Sequence, residues 1–362
     1  MKTLVVTNDY PPRPGGIQTY VHELLARQPH DEVVVLASSW KGAKEFDAQQ
    51  PFPVVRAGTK VLLPTPATLR QARQIARDER CDRVWFGAAA PLGLLAPRLG
   101  LARAVGSTYG HEVLWAGLPG SRQVLRHIGR GLDAVTHLTE WTSQRLTPVL
   151  RTPSTILPPG VDATVFRPDC GGEDIRKRHG LTDRPVVVCV SRLVPRKGQE
   201  TLIRALPLIA KKVPDVALLL VGGGPDRKGL EAQAVGLPVV FTGSVPVEEL
   251  PAHYDAGDVF AMPCRSRLGG LEVEGLGIVF LEAAATGLPV VAGLSGGSAE
   301  AVQEGVTGYV VDGSVEQVAD RVTGLLLDRD RARALGAAGR RWVEQEWAWD
   351  GLAARLRGVL AG

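Results

Sequence analysis

The chain is poor in cysteine and aromatics and has no long apolar run, and each shortage removes a class of protein. Its four cysteines (Cys81, Cys170, Cys189, Cys264) show no Cys-x-x-Cys spacing in 362 residues. A disulfide framework is therefore not expected, and the composition points to a reduced, cytoplasmic protein. No stretch of about 18 apolar residues occurs, which argues against a membrane-spanning helix. The start, Met1-Lys2-Thr3-Leu4-Val5-Val6, turns polar at Thr7-Asn8-Asp9, too early for the apolar core of a secretory leader. Only 7 Trp, 5 Tyr and 7 Phe are spread along the chain. That leaves no stacking platform, so nucleic acid is not an expected partner.

What is present suggests two domains, since one domain usually takes about 100–200 residues. The net charge of +4 is small but unevenly placed. Residues 1–160 carry 19 Lys and Arg against 12 Asp and Glu, and residues 161–362 carry 23 against 26. A basic front half suits an anionic partner such as a phosphate or a lipid head group, although an unevenly charged solvated surface gives the same count.

Short β-branched runs alternate with longer helical patterns. Strands are expected at Thr3–Thr7, Glu32–Ala37, Arg83–Phe86 and Arg103–Ser107, and again at Val186–Ser191, Ala217–Val221 and Val259–Ala261. The runs are continuous rather than alternating, as in parallel strands buried on both faces. The expected fold is α/β, with two doubly wound, Rossmann-like sheets. Breakers between Leu157 and Gly172 place the boundary there, giving domains 1–166 and 167–345. The apolar face of residues 346–362 either caps the second domain or crosses back to the first, and the latter is favoured.

Four stretches could carry chemistry. Gly15-Gly16 follows strand one and opens a helix, where a bare backbone can approach an anion. A plain strand–loop–helix turn would look the same. The loop lacks the G-x-G-x-x-G pattern, and Gly222-Gly223-Gly224-Pro225 lacks the Lys-Ser/Thr of a P-loop. Ser191-Arg192 through Lys197-Gly198 sets cations at the carboxyl end of a strand, where Arg192 and Lys197 could neutralise a diphosphate. Glu274 and Glu282 would lie about 80° apart on one continuous helix. Gly275 and Gly277 predict instead that Glu274 sits in a loop and Glu282 in the helix that follows. The N–H groups of Leu276, Gly277 and Ile278 would then face an anion, and a carboxylate suits a vicinal diol. His111, after Tyr109-Gly110, is a general base, a hydrogen-bonding group or a structural histidine. Asp328-Arg329-Asp330 is expected to cap a helix rather than bind a metal.

Taken in order, these stretches resemble the retaining GT-B glycosyltransferases with an E-x7-E signature. More narrowly, Asn8-Asp9-Tyr10-Pro11-Pro12, Gly15-Gly16-Ile17-Gln18-Thr19-Tyr20, Gly110-His111-Glu112 and Glu272 to Val279 look like actinobacterial GDP-mannose-dependent phosphatidylinositol monomannoside mannosyltransferases. The resemblance implies two domains facing each other across a cleft, an N-terminal acceptor domain and a C-terminal donor domain. It implies transfer of mannose to an inositol glycolipid in α-(1→6) linkage, with no metal and no cofactor beyond the donor.

Glu274, His111, Arg192 and Lys197 are then the expected catalytic residues. Gly15, Gly16, Val245, Gly275, Leu276, Gly277, Ile278 and Glu282 join Arg192, Lys197 and Glu274 in holding the donor. Asp9, Tyr10 and Gln18 are expected at the acceptor. Two departures stand out: Leu268 replaces a usual glycine, and Arg265 and Arg267 add positive charge beside the donor site. A different acceptor, a UDP-sugar donor or a non-catalytic sugar-nucleotide-binding protein are the competing expectations. A lipid acceptor implies a membrane surface as partner, with the enzyme peripheral on its inner face; Arg70, Arg73, Arg77 and Arg80 are either contacts for it or, with Asp78 among them, an ordinary solvated face.

Overall fold

The continuous apolar runs form thirteen strands, and every strand pairing is parallel. The computed structural model describes all 362 residues and divides into two compact units. The first comprises Met1–Gly160 with Trp349–Gly362, the second Val161–Ala348.

In the first unit, β1 (Thr3–Thr7), β2 (Val33–Ala37), β3 (Val54–Arg56), β4 (Arg83–Phe86), β5 (Arg103–Thr108), β6 (Ala134–His137) and β7 (Ser154–Ile156) form one sheet in the order 3-2-1-4-5-6-7. Val5 lies opposite Val35 on one side and Trp85 on the other, all fully buried. In the second unit, β8 (Val186–Val190), β9 (Ala217–Val221), β10 (Val239–Gly243), β11 (Val259–Met262), β12 (Val290–Gly293) and β13 (Gly308–Val311) follow the order 10-9-8-11-12-13. In each sheet the winding reverses once, between β1 and β4 and between β8 and β11. Open α/β sheets bind ligands beyond the carboxyl ends of strands at such a reversal.

Side-chain caps fix several helix starts. Thr65 accepts from the Thr68 N–H with Pro66 at the first position, and Thr139 and Ser314 cap the helices Glu140–Leu150 and Val315–Leu327. Asp328 accepts from the Arg331 N–H at 3.0 Å and caps the helix Arg329–Glu346, the capping role expected of this acidic pair.

The boundary between the units needs correction from 166 to 160. Val161 is buried in the second unit's core, and its N–H donates to the Trp347 carbonyl at 2.8 Å. The second unit likewise runs to Ala348 rather than 345. The final helix, Trp349–Ala361, belongs to the first unit. Its Trp349, Leu352, Leu356 and Leu360 are buried in one cluster with Tyr20, Leu24 and Val33. Burial of this kind contributes about 1.5–3 kcal/mol per large side chain. Arg83 and Arg103 tie the helix's end by donating to the carbonyls of Leu360 (2.7 Å) and Val359 (2.8 Å).

Candidate functional site

In the second unit, the two loops beside the sheet reversal bring opposite charges together. Lys197 ends a single 3-10 turn, Pro195–Lys197, after β8, and Glu274 lies in the loop after β11. Lys197 Nζ is 2.7 Å from Glu274 Oε2, Arg196 Nε is 3.7 Å from the same oxygen, and both Lys197 and Glu274 are buried.

Local chemistry locks each loop. Gln199 Nε2 donates to Ser191 Oγ (2.8 Å) and to the Arg192 carbonyl (2.9 Å), holding the β8 loop closed. Gly198 adopts φ 78, and a Cβ there would lie 2.1 Å from the Pro263 carbonyl oxygen, so only glycine lets the two loops touch. The Glu274 N–H donates to Ser295 Oγ at 3.0 Å, and its carbonyl accepts from the Gly297 N–H at 3.0 Å. Backbone contacts on both sides therefore set the carboxylate's position.

Arg192 is exposed and makes no ion pair, leaving its charge free. Gly277 (φ 81) precedes the helix Ile278–Ala285, so Glu274 is in the loop and Glu282 in the helix. The N–H groups of Gly275, Leu276, Gly277 and Ile278 have no acceptor within the chain. Together with the helix start they present a positive, anion-accepting edge.

Glu282 keeps some accessible surface, and burial of its carboxyl pushes it up to about 7. A hydrogen bond from the Tyr254 hydroxyl, 2.5 Å to Oε2, opposes that shift. Val245 is half-buried after β10 and packs against the core. Gly222 and Gly224 stand where a Cβ would strike the Ser191 and Leu193 carbonyls at 2.1 and 2.2 Å. These two glycines thus bring the β9 loop onto the Arg192 loop.

One expectation is corrected here. Arg265 and Arg267 do not add free charge, because they pair with Glu200 and Glu272, both at 3.0 Å. Leu268 is 65% exposed and takes φ 51, a left-handed conformation that ordinarily favours glycine.

In the first unit, Asp9 follows β1 and His111 follows β5. Gln18 Nε2 donates to Asp9 Oδ1 at 2.7 Å, and Arg13 lies 4.0 Å from the same oxygen. Burial raises the Asp9 carboxyl above its usual range, with Arg13 and His111 opposing. Gln18 is itself buried, so it orients Asp9. Tyr10 does not face an acceptor. It is 1% exposed, its ring edge-on to His22 and Phe46 with Arg56 over its face.

Gly15 is required locally, with φ 152 and a Cβ position 2.2 Å from Gln18 Oε1, whereas Gly16 has open space around it. His111 is half-exposed, with Nε2 3.4 Å from Glu112 Oε1. Glu112 is completely buried, and its other oxygen accepts the N–H groups of Tyr109 and Gly110 at 3.0 Å. Sequence reasoning missed Tyr254 and the anchoring by Glu112 and Ser295. Only Glu112 carried a signal, as the neighbour of His111.

The sequence profile described as Glycosyltransferase Family 4 matches residues 14–165, and that of Glycosyl transferases group 1 matches residues 172–342. Among solved structures, HepE of Anabaena in complex with UDP has a TM-score of 0.82 at 21% identity, covering all of both chains. WaaG, a glycosyltransferase involved in lipopolysaccharide biosynthesis, has a TM-score of 0.68 at 21% identity, covering 99% of this chain and 100% of that one. These likenesses show the GT-B fold. The chain is 51% identical to the GDP-mannose-dependent alpha-(1-6)-phosphatidylinositol monomannoside mannosyltransferase of Mycobacterium tuberculosis, over 100% of its own length and 98% of the relative's. It is 45% identical to the GDP-mannose-dependent monoacylated alpha-(1-6)-phosphatidylinositol monomannoside mannosyltransferase of Corynebacterium glutamicum, over 99% of its own length and 97% of the relative's. With half of its positions shared from end to end, the chain belongs to the GDP-mannose-dependent phosphatidylinositol monomannoside mannosyltransferases, within the group 1 glycosyltransferases.

Proposed function

We propose that this protein transfers mannose from GDP-mannose to phosphatidylinositol monomannoside, forming an α-(1→6) linkage. The full-length 51% identity to an enzyme of that name carries the assignment. The cation and N–H cluster beside the β8–β11 reversal supplies the matching chemistry.

In this reading, the bond between the mannose anomeric carbon and the donor phosphate breaks as the acceptor hydroxyl attacks and passes its proton to an oxygen of the departing β-phosphate. Negative charge then builds on the departing GDP. Arg192, free of ion pairs, and Lys197 take that charge, and the unpaired N–H groups from Gly275 to Ile278 add fixed dipoles. Glu274 accepts hydroxyls of the transferred sugar, and Glu282 accepts those of the ribose. His111 and Asp9 serve the transferred sugar and the acceptor. The sugar keeps its anomeric configuration, and the cations do the work that a metal does elsewhere.

No helix is long and apolar enough to cross a membrane. For the lipid acceptor we propose peripheral contact through Trp40, Val61 and Leu63, which are 40%, 55% and 54% exposed. The Ser39 N–H bonded to the Thr59 carbonyl holds their loops together, and Lys41 and Lys60 flank them. Of the arginines on or just after the helix Pro66–Asp78, Arg73 donates to the Arg98 carbonyl and Arg77 to Gln74, leaving Arg70 and Arg80 for a membrane. Such basic and apolar groups together favour an anionic surface.

The test is transfer from radiolabelled GDP-mannose to purified phosphatidylinositol monomannoside, with UDP-glucose as the control donor. A labelled dimannoside product supports the reading. Turnover with UDP-glucose alone overturns it.

A further inference from the structure

Tyr254 has a single hydrogen-bond partner, and that partner is Glu282. The tyrosine lies on the helix Leu250–Asp255, is completely buried, and is wedged between Phe166 and Phe260, each with ring centroids 5.7 Å away. Its ring position is thus set by packing and not by the hydrogen bond. From there the hydroxyl donates 2.5 Å to Glu282 Oε2, the one side-chain hydrogen bond that the Glu282 carboxylate makes within the chain. A carboxylate flanked by apolar Val279, Phe280, Leu281 and Ala283 would otherwise turn about its own side-chain torsions, because nothing else in the chain holds it.

We propose that Tyr254 is a positioning residue for nucleoside recognition, locking the Glu282 carboxylate so that it accepts both hydroxyls of a ribose diol. One lone pair of Oε2 is committed to the phenol. Three acceptor sites remain, and a vicinal diol uses two. The hydroxyl also stabilises the anionic carboxylate, the form that accepts from a diol, in a setting where burial favours the neutral acid. The inference rests on the assignment of Glu282 to the ribose of the donor nucleotide.

The experiment compares binding of GDP and 2′-deoxy-GDP by titration calorimetry for wild type, Y254F and E282Q, with melting temperatures measured in parallel. Wild type should prefer GDP by about tenfold or more, the scale of a hydrogen bond to a charged group. E282Q should abolish the preference. Y254F should reduce it to about threefold or less and raise KM for GDP-mannose with little change in kcat. A Y254F enzyme that keeps the full wild-type preference, whatever its melting temperature, overturns the positioning role while the ribose assignment stands. A wild-type enzyme without preference overturns the ribose assignment itself.

Should Y254F not fold, fluorotyrosine-labelled wild type answers the same question. The fluorine resonance of Tyr254 should shift on adding GDP and not on adding 2′-deoxy-GDP. Equal shifts with both would refute the proposal.

Discussion

Lys197 Nζ lies 2.7 Å from Glu274 Oε2, so the residue assigned to the diphosphate and the one assigned to the sugar neutralise each other before any ligand arrives. Both are buried, and removing one leaves the other charged in a poorly solvated place, with only Arg196 at 3.7 Å to help. Lys197→Ala should abolish transfer and cost up to about 3–5 kcal/mol of stability. The double substitution Lys197→Met with Glu274→Gln should recover most of that stability and none of the activity. Denaturant titrations of the two singles and the double measure the coupling. Strictly additive losses would show that the pair is not an energetic unit.

Glycines separate packing from ligand approach. Gly198→Ala puts a Cβ 2.1 Å from the Pro263 carbonyl oxygen at φ 78, and should cost at least about 2 kcal/mol. Gly16 has no neighbour within 4 Å of its Cβ position. Gly16→Ala should therefore leave the melting temperature unchanged or slightly higher, while lowering kcat/KM because the added methyl blocks close backbone approach of a ligand. A Gly16→Ala enzyme with wild-type kinetics would remove this residue from the site.

Much of the fold was legible because parallel strands buried on both faces read as unbroken apolar runs, as in Val33–Ala37 and Ala217–Val221. Glu274 in a loop and Glu282 in a helix followed from Gly275 and Gly277, since chain breakers act locally. The helix Glu140–Leu150 runs through Pro148, a residue that disfavours helix interiors, and its buried Leu146, Val149 and Leu150 hold it in place. Tyr10, expected at the acceptor by resemblance alone, is instead buried against His22 and Phe46, a packing that only the fold determines. The pairing of Tyr254 with Glu282 spans 28 positions and two helices, and no local pattern encodes it. Ser295 as anchor of the Glu274 loop is equally non-local.

His137 titrates with folding. It is fully buried at the end of β6, 2.7 Å from Thr108 Oγ1 and 3.3 Å from Thr147 Oγ1, and burial lowers its pKa to about 4. The unfolded chain takes up a proton near pH 6.5 that the folded chain refuses until about pH 4. Its contribution is therefore whole above pH 6.5 and is lost as pH falls toward 4, a change on the order of 3 kcal/mol. Thermal denaturation of wild type and His137→Gln from pH 4 to 7 should show the difference between them shrinking on acidification. A difference independent of pH would contradict the lowered value.

Glu282 acts with the opposite sign in an overlapping window. Its folded value of about 7 lies above the ordinary 4.5, so between those values the unfolded chain has released a proton that the folded chain retains. Stability from this group is complete below pH 4.5, falls as pH rises to about 7, and is level beyond, by on the order of 3 kcal/mol. Ligand binding runs the other way, because a ribose diol donates to the carboxylate and not to the acid. GDP affinity should weaken as pH falls below about 7, while the unliganded protein gains stability from the same proton. Glu282→Gln removes the titrating group, so both pH dependences should flatten while the fold persists. Melting curves with and without GDP at half-unit steps from pH 5 to 8 read both effects, and His137 cancels in the comparison of wild type with variant. If GDP stabilises both proteins equally at every pH, Glu282 does not bind the nucleotide as its anion.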